Sequence, residues 1–222
     1  MSQKQNLRSW ILFEDDNYIV VNKPPYVSTL EDRTSPINIS EISKAYHSEA
    51  QVCHRLDKET SGVLLIAKSP EAYRHAAMQF EKRTVEKIYH AVVEGVHEFK
   101  SEQVNASLIL TGKGKMVINQ REGKEATTYF STLGVYGNYS LIECKPVTGR
   151  MHQIRVHLAF LNAPIVNDEL YGGKPFYLSS VKRKYNLKRF TEERPLIQRF
   201  ALHAYSLSME AMDGKEVVYQ AP

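Results

Sequence analysis

Two stretches of this chain concentrate the side chains able to do chemistry. The first is Cys53-His54-Arg55-Leu56-Asp57-Lys58-Glu59-Thr60-Ser61-Gly62, which runs straight into an apolar, β-branched segment, Gly62–Lys68. A carboxylate held at the mouth of a rigid strand is well placed for catalysis, and Asp57 sits at that position. On composition alone the plainer alternative, a loop with a solvated charge run, is favoured. The second stretch is Thr148-Gly149-Arg150-Met151-His152-Gln153-Ile154-Arg155-Val156-His157. Two arginines, two histidines and a glutamine open an otherwise apolar helix, where backbone donors and guanidinium forks favour anions. A solvated first turn explains each residue alone more readily than five crowded beside an apolar stripe. His152 and His157 fall about 140° apart around a helix and cannot chelate one metal as a His pair at i, i+4 does. His152 and Arg155 are spaced to share a face. There is no G-x-S-x-G elbow, no P-loop and no G-x-G-x-x-G, which removes support for a serine hydrolase or a common nucleotide site.

The elements that must position these residues are mostly strands. Trp10–Glu14 and Tyr18–Asn22 flank the turn formers Asp15, Asp16 and Asn17 and read as a hairpin, stopped by Pro24-Pro25. Pro36–Ser48 has apolar residues at helical spacing. Gly62–Lys68 reads as a buried strand. Ser69-Pro70 starts a helix with Ser at the N-cap and Pro at the first position, and Tyr73, Ala76, Ala77 and Phe80 form its expected apolar stripe. Lys87–Glu94, Ala106–Leu110, Thr127–Leu133 and Tyr139–Val147 read as strands, with Gly112-Lys113-Gly114-Lys115 as a hairpin tip. His152–Leu161 reads as a helix with Ile154, His157, Leu158 and Leu161 toward the core. Phe200–Met209 and Glu216–Tyr219 close the chain as strands. Consecutive hairpins without βαβ repetition predict an α+β fold with a mixed, largely antiparallel sheet.

The 222 residues are 42% hydrophobic and 24% charged, which suits a soluble globular protein and excludes wholesale disorder. Two cysteines, Cys53 and Cys144, make no disulfide framework and no Cys-x-x-Cys metal pair. The N-terminus lacks the apolar core of a signal peptide, and no run approaches the length of a membrane span. The expectation is a cytoplasmic protein with no membrane partner and a monomer by default. The net charge of +4 is mild, but Lys174–Arg194 alone carries seven basic and two acidic residues, a local +5 interleaved with Phe176, Tyr177, Tyr185 and Phe190.

The residues carry a likeness to a known family. HRLDKETSGVLLIAKS resembles the signature of the RluA-type RNA pseudouridine synthases, which isomerise uridine to pseudouridine in structured RNA. ILFEDDNYIVVNKP, EKRTVEKIYHAVVEG, KPVTGRMHQIRVHLAFLNAPIVNDELYGG and RFALHAYSLSM resemble further family segments in the same order. The resemblance implies one catalytic domain over residues 11–222 with a long central mixed sheet flanked by helices. It also implies a short extension over residues 1–10 where many relatives carry an S4-type domain, and a basic insertion near residues 174–194. This chain has Tyr26 where the family usually has glycine after its Lys-Pro pair. It has Asn167 where the family usually has glycine before aspartate.

The resemblance gives Asp57 the part of catalytic carboxylate, either stabilising or trapping charge at C1′ or removing the 2′ proton. Arg155 matches the arginine that pairs with that aspartate, Tyr89 the tyrosine lying against the flipped uracil, and Arg55 the arginine inserted near the vacated base position. His54, Arg150, His152 and Gln153 are expected to shape the pocket or hold backbone; Lys23, Thr60 and Ser61 are expected to be structural, and Cys53 a small core residue. The reaction is an isomerisation, so no cofactor and no metal is expected. The expected partner is ribosomal or transfer RNA. Lys174, Lys182, Arg183, Lys184, Lys188 and Arg189 are candidates for gripping RNA phosphates, against the alternative of a solvated insertion. A non-catalytic RNA-binding module and a carboxylate glycosidase, with Glu59 as its local second acid, are the rival functions.

Overall fold

A computed structural model describes residues 6–31, 37–112, 114–182, 184–186 and 191–222. Two compact units emerge, one made of Met1–Tyr89 with His203–Pro222, the other of His90–Leu202.

The first unit begins with a short 3₁₀ turn, Leu7–Trp10, whose Leu7 is buried. Strands β1 (Ile11–Glu14) and β2 (Tyr18–Lys23) pair antiparallel as the expected hairpin, because Asp15 Oδ1 accepts from the Asn17 and Tyr18 N–H groups and closes the turn. Helix α1 (Ile39–Tyr46) is capped by the Asn38 side chain accepting from Glu41 N–H. It is shorter than the expected Pro36–Ser48, whose first residue lies outside the described residues. Strand β3 (Gln51–Val52) and strand β4 (Ser61–Ala67) follow, and every residue of β4 is buried. Helix α2 (Pro70–Lys82) starts as predicted, with Ser69 Oγ accepting from Ala72 N–H and Pro70 in the first turn. Of its expected apolar stripe, Ala76 is buried and Phe80 packs against the same core, but Ala72 takes the place expected of Tyr73. Ala72 and Ala76 are buried and Tyr73 is exposed, because the small alanines let the helix lie close on the sheet.

Strand β5 (Glu86–Glu94) passes from the first unit into the second at Tyr89/His90. The second unit continues with β6 (Glu102–Asn105), β7 (Leu108–Leu110), β8 (Met116–Ile118), β9 (Thr127–Tyr136), β10 (Tyr139–Pro146) and helix α3 (Gln153–Phe160). Of the expected strand Ala106–Leu110 only Leu108–Leu110 is strand; Ala106 and Ser107 lie between β6 and β7. Ser107 leaves the β9 ladder because its N–H goes to Gln120 Oε1 and its carbonyl to Asn119 N–H. β7 and β8 then form their own hairpin, closed at the predicted tip by Thr111 and Lys115. The first unit is completed by β11 (Leu202–Glu210) and β12 (Glu216–Gln220).

The ten-stranded sheet is mixed, as expected: hydrogen-bonded neighbours run β1-β2-β4-β11-β5-β10-β9-β6, with β12 on β11 and β3 on β4. Of the registered pairs, β4 with β11 is parallel and the rest are antiparallel. Alternation along β2 and β4 divides the core of the first unit in two. Tyr18, Val20, Val63 and Leu65 pack with Ala72 and Ala76 on one face. Ile19, Val21, Leu64 and Ile66 pack with Ile39 and Leu56 on the other. Gly62 is required where β4 meets β11. Its φ is +114°, and a Cβ there would stand 2.1 Å from the Ala204 carbonyl oxygen.

Candidate active site

Asp57 lies half-buried on the loop that leads into β4. Backbone clamps fix it from both sides. On the N-terminal side, the buried Thr29 hydroxyl donates to the Leu56 carbonyl at 2.8 Å and accepts from Leu56 N–H at 3.1 Å. On the C-terminal side, the Lys58 carbonyl accepts from Tyr26 N–H at 2.8 Å and from Lys23 Nζ at 3.1 Å. Lys23 is fully buried and also donates to the carbonyls of Pro24 and Val27. Bonds from one buried ammonium to three carbonyls make Lys23 a brace for the loop. Tyr26 reaches its bond through a left-handed backbone, φ 67°, the conformation that the usual glycine would adopt more cheaply.

His54 holds the backbone. Its Nε2 accepts from Leu65 N–H of β4 at 3.1 Å, and its ring lies against Phe80 of α2, centroids 5.0 Å apart. Burial, helped by the charge of Lys87, pushes its pKa down to about 3, and the bond from a backbone donor requires the neutral ring. Arg55 is exposed beside it. Tyr89, half-buried on β5, packs against the cluster that contains Leu56 and Leu64. Burial raises the Cys53 thiol to about 12, which suits the expected core role and disfavours a reactive thiolate.

In the second unit, the polar opening of α3 is a closed network. Gln153 Oε1 accepts from the Thr148 hydroxyl at 2.7 Å and Arg150 N–H at 3.0 Å. Its Nε2 donates to the Thr127 carbonyl and the Thr128 hydroxyl. The Thr128 hydroxyl passes the chain on to His157 Nδ1 at 3.0 Å, while His157 Nε2–H donates to the Ala106 carbonyl. That order of donors makes His157 the neutral Nε2–H tautomer, in line with the lowering of its pKa by burial. These bonds make Gln153 and His157 the joint between α3, β9 and the end of β6. Arg150 Nε donates to the Glu125 carbonyl.

His152 does not share a helical face with Arg155. It stands before the helix in the left-handed region, φ 54°, so helical spacing does not apply to it. Its Nδ1 meets the Tyr171 hydroxyl at 2.9 Å instead. The helix is buried all round from Gln153 to Leu158 rather than along one stripe, since its polar groups find partners inside. Arg155, 6% exposed, is gripped by the buried Asp168 in a two-point fork, Nε–Oδ2 2.6 Å and Nη2–Oδ1 2.8 Å. The rings of Phe200 and Tyr171 lie against the guanidinium at 4.2 and 5.0 Å. Asp168 was not among the residues singled out from sequence, and neither was Thr29.

Lys174, Lys182 and Lys184 are exposed, whereas Arg183, Lys188 and Arg189 lie outside the described residues. Phe176 packs edge-on against Tyr139 at 4.7 Å, so this aromatic of the basic segment serves packing. Among the described residues, no group of three or more His, Cys, Asp or Glu is placed to hold a metal ion. No helix among them is long and apolar enough to cross a membrane.

The long mixed sheet is the architecture that the resemblance implies. The family model described as RNA pseudouridylate synthase matches residues 17–160, and the chain belongs to that family. Among curated relatives, "Ribosomal large subunit pseudouridine synthase C" of Vibrio cholerae is 35% identical over 179 residues, 79% of this chain and 57% of the relative. The protein of the same name from Haemophilus influenzae is 36% identical over 210 residues, 92% of this chain and 62% of the relative. The chain thus spans about three-fifths of the length of these relatives. Among solved structures, human RNA Pseudouridylate Synthase Domain Containing 1 superposes with a TM-score of 0.71 at 26% identity, covering 96% of this chain and 82% of that one.

Proposed function

We propose that this protein isomerises uridine to pseudouridine in large-subunit ribosomal RNA, with Asp57 as the catalytic carboxylate. The observation that carries the reading is the double clamp on Leu56 and Lys58, which fixes one half-buried carboxylate within the family signature. The choice of RNA follows the names of the relatives; transfer RNA is the alternative. The reading carries with it a cytoplasmic monomer that needs no cofactor.

The chemistry conserves all atoms. The N1–C1′ bond breaks, the uracil turns within the site, and C5 bonds to C1′. The C5 proton is then lost and N1 regains one. Positive charge develops near C1′ as the first bond breaks, and an ionised Asp57 stabilises or traps it, or takes the 2′ proton. Arg155 is proposed to orient that carboxylate and favour its charged form. Arg55 fills the stack left by the flipped nucleotide. His54, Arg150, His152 and Gln153 act through the backbone and side chains they hold.

The test uses a large-subunit ribosomal RNA transcript carrying tritium at uridine C5. Release of tritium with pseudouridine recovered in the chain supports the synthase. Binding without release points to an RNA-binding module, and free uracil to a glycosidase. In the same assay Tyr89→Phe, which keeps the ring and removes the hydroxyl, should slow turnover by about 100-fold if that hydroxyl takes the C5 proton; unchanged turnover limits Tyr89 to packing. Neutralising Lys182, Arg183 and Lys184 together should reduce the salt dependence of RNA binding by roughly two to three units of log–log slope. An unchanged slope removes the segment from the RNA interface.

A further inference from the structure

We infer that Asp168 is a positioning residue for the reaction, acting only through the direction it imposes on the Arg155 guanidinium. The inference rests on the proposed function, in which Arg155 serves the catalytic carboxylate.

Three observations support it. The first is the fork, which engages Nε and Nη2 with the two oxygens of one carboxylate and so sets both the plane and the direction of the guanidinium. The second is that Asp168 itself cannot drift. Its N–H donates to the Ile165 carbonyl at 3.0 Å, and its carbonyl accepts from Tyr171 N–H at 3.0 Å and Gly173 N–H at 2.9 Å. Asn167 just before it is left-handed, φ 64°, with its side-chain oxygen accepting from Phe176 N–H. Gly173 closes the loop so tightly that a Cβ there would stand 1.9 Å from the Ile165 carbonyl oxygen. The third is burial: the two side chains are 7% and 1% exposed. Removing two charges from water costs much of what their attraction returns, so two well-packed apolar side chains would keep most of the stability. What the ion pair supplies and apolar packing does not is a fixed orientation for a cation. The Phe200 and Tyr171 rings limit its movement further.

The test is a double-mutant cycle on turnover of the tritiated transcript. Asp168→Asn, which keeps the size but breaks the charged fork, should lower kcat by about 100-fold while KM for RNA changes little. In an Arg155→Lys background, where no fork exists, the same change should have almost no further effect. A rise in KM at constant kcat, or an equal loss of kcat in both backgrounds, overturns the inference. If Asp168→Asn does not fold, Asp168→Glu decides. Its extra methylene displaces the fork by up to about 1.5 Å and should lower kcat roughly tenfold, and undiminished kcat overturns the inference. Wild-type turnover and the loss caused by Arg155→Lys alone report separately on the underlying reading. A fully active Arg155→Lys would sink the role of Arg155, whereas an inactive Arg155→Lys with a fully active Asp168→Asn would sink only that of Asp168.

Discussion

Asp57→Asn is expected to reduce pseudouridine formation by at least about 10⁴-fold, the scale on which enzymes lose turnover when a group that reacts with substrate is removed. Asparagine has nearly the same size as aspartate. The clamps on either side act on backbone groups of Leu56 and Lys58, so they do not depend on the carboxylate. The melting temperature and RNA affinity should therefore stay close to wild type, while the charge that meets C1′ is gone. Tritium release and filter binding on the same preparation separate the two. Turnover near wild type would take the catalytic role away from Asp57, whatever the family signature suggests.

Arg155→Ala should have two effects of different origin. It leaves the Asp168 carboxylate buried without its cation, a loss of about 3–5 kcal/mol, which is a large share of the roughly 5–15 kcal/mol that holds a domain together. It also removes the group proposed to orient Asp57, so turnover should fall by two or more orders of magnitude, about 10²–10³-fold. A second variant separates these effects. Arg155→Met combined with Asp168→Leu replaces the ion pair by apolar side chains and should recover most of the stability. It should recover none of the activity. Denaturant titration reads the first quantity and tritium release the second. Wild-type turnover in the double variant would show that Arg155 serves folding alone.

Much of the frame was legible in the sequence where the signals are local. Asp15 at the hairpin and Ser69-Pro70 at the start of α2 act within four residues of where they stand, so chain order reveals them. The burial of β4 was readable from its apolar run, but which face meets which helix was not. Errors came where long-range bonds override a local pattern. The apolar run Ala106–Leu110 looks continuous, yet Ser107 is turned aside by Gln120 and Asn119. His152 has helical neighbours but takes a left-handed backbone outside the helix. At the site, Asp57 and Arg155 stood out through the resemblance. Asp168 did not, because its fork crosses a loop and nothing in Pro-Ile-Val-Asn-Asp announces a guanidinium partner. Tyr26 and Asn167 were flagged as departures from glycine, and both occupy the left-handed region that glycine favours.

The parallel pairing of β4 with β11 has a consequence for the order in which the protein can be made. Ser61 Oγ bonds His203 Nδ1 at 2.8 Å across 142 residues of chain. The second unit, His90–Leu202, is one uninterrupted stretch and can close as soon as it has been synthesised. The first unit must wait for Leu207, Met209 and Tyr219, which complete one half of its core. At 5–20 residues per second, roughly 7–30 s of translation separate β4 from the strand that covers its edge. Throughout that interval Ser61 and Gly62, at the head of β4 beside the Asp57 loop, lack their β11 partners, while Ile66 and Ala67 can already pair with β3. The head of β4, and with it the loop, therefore acquires its final support only with the last twenty residues.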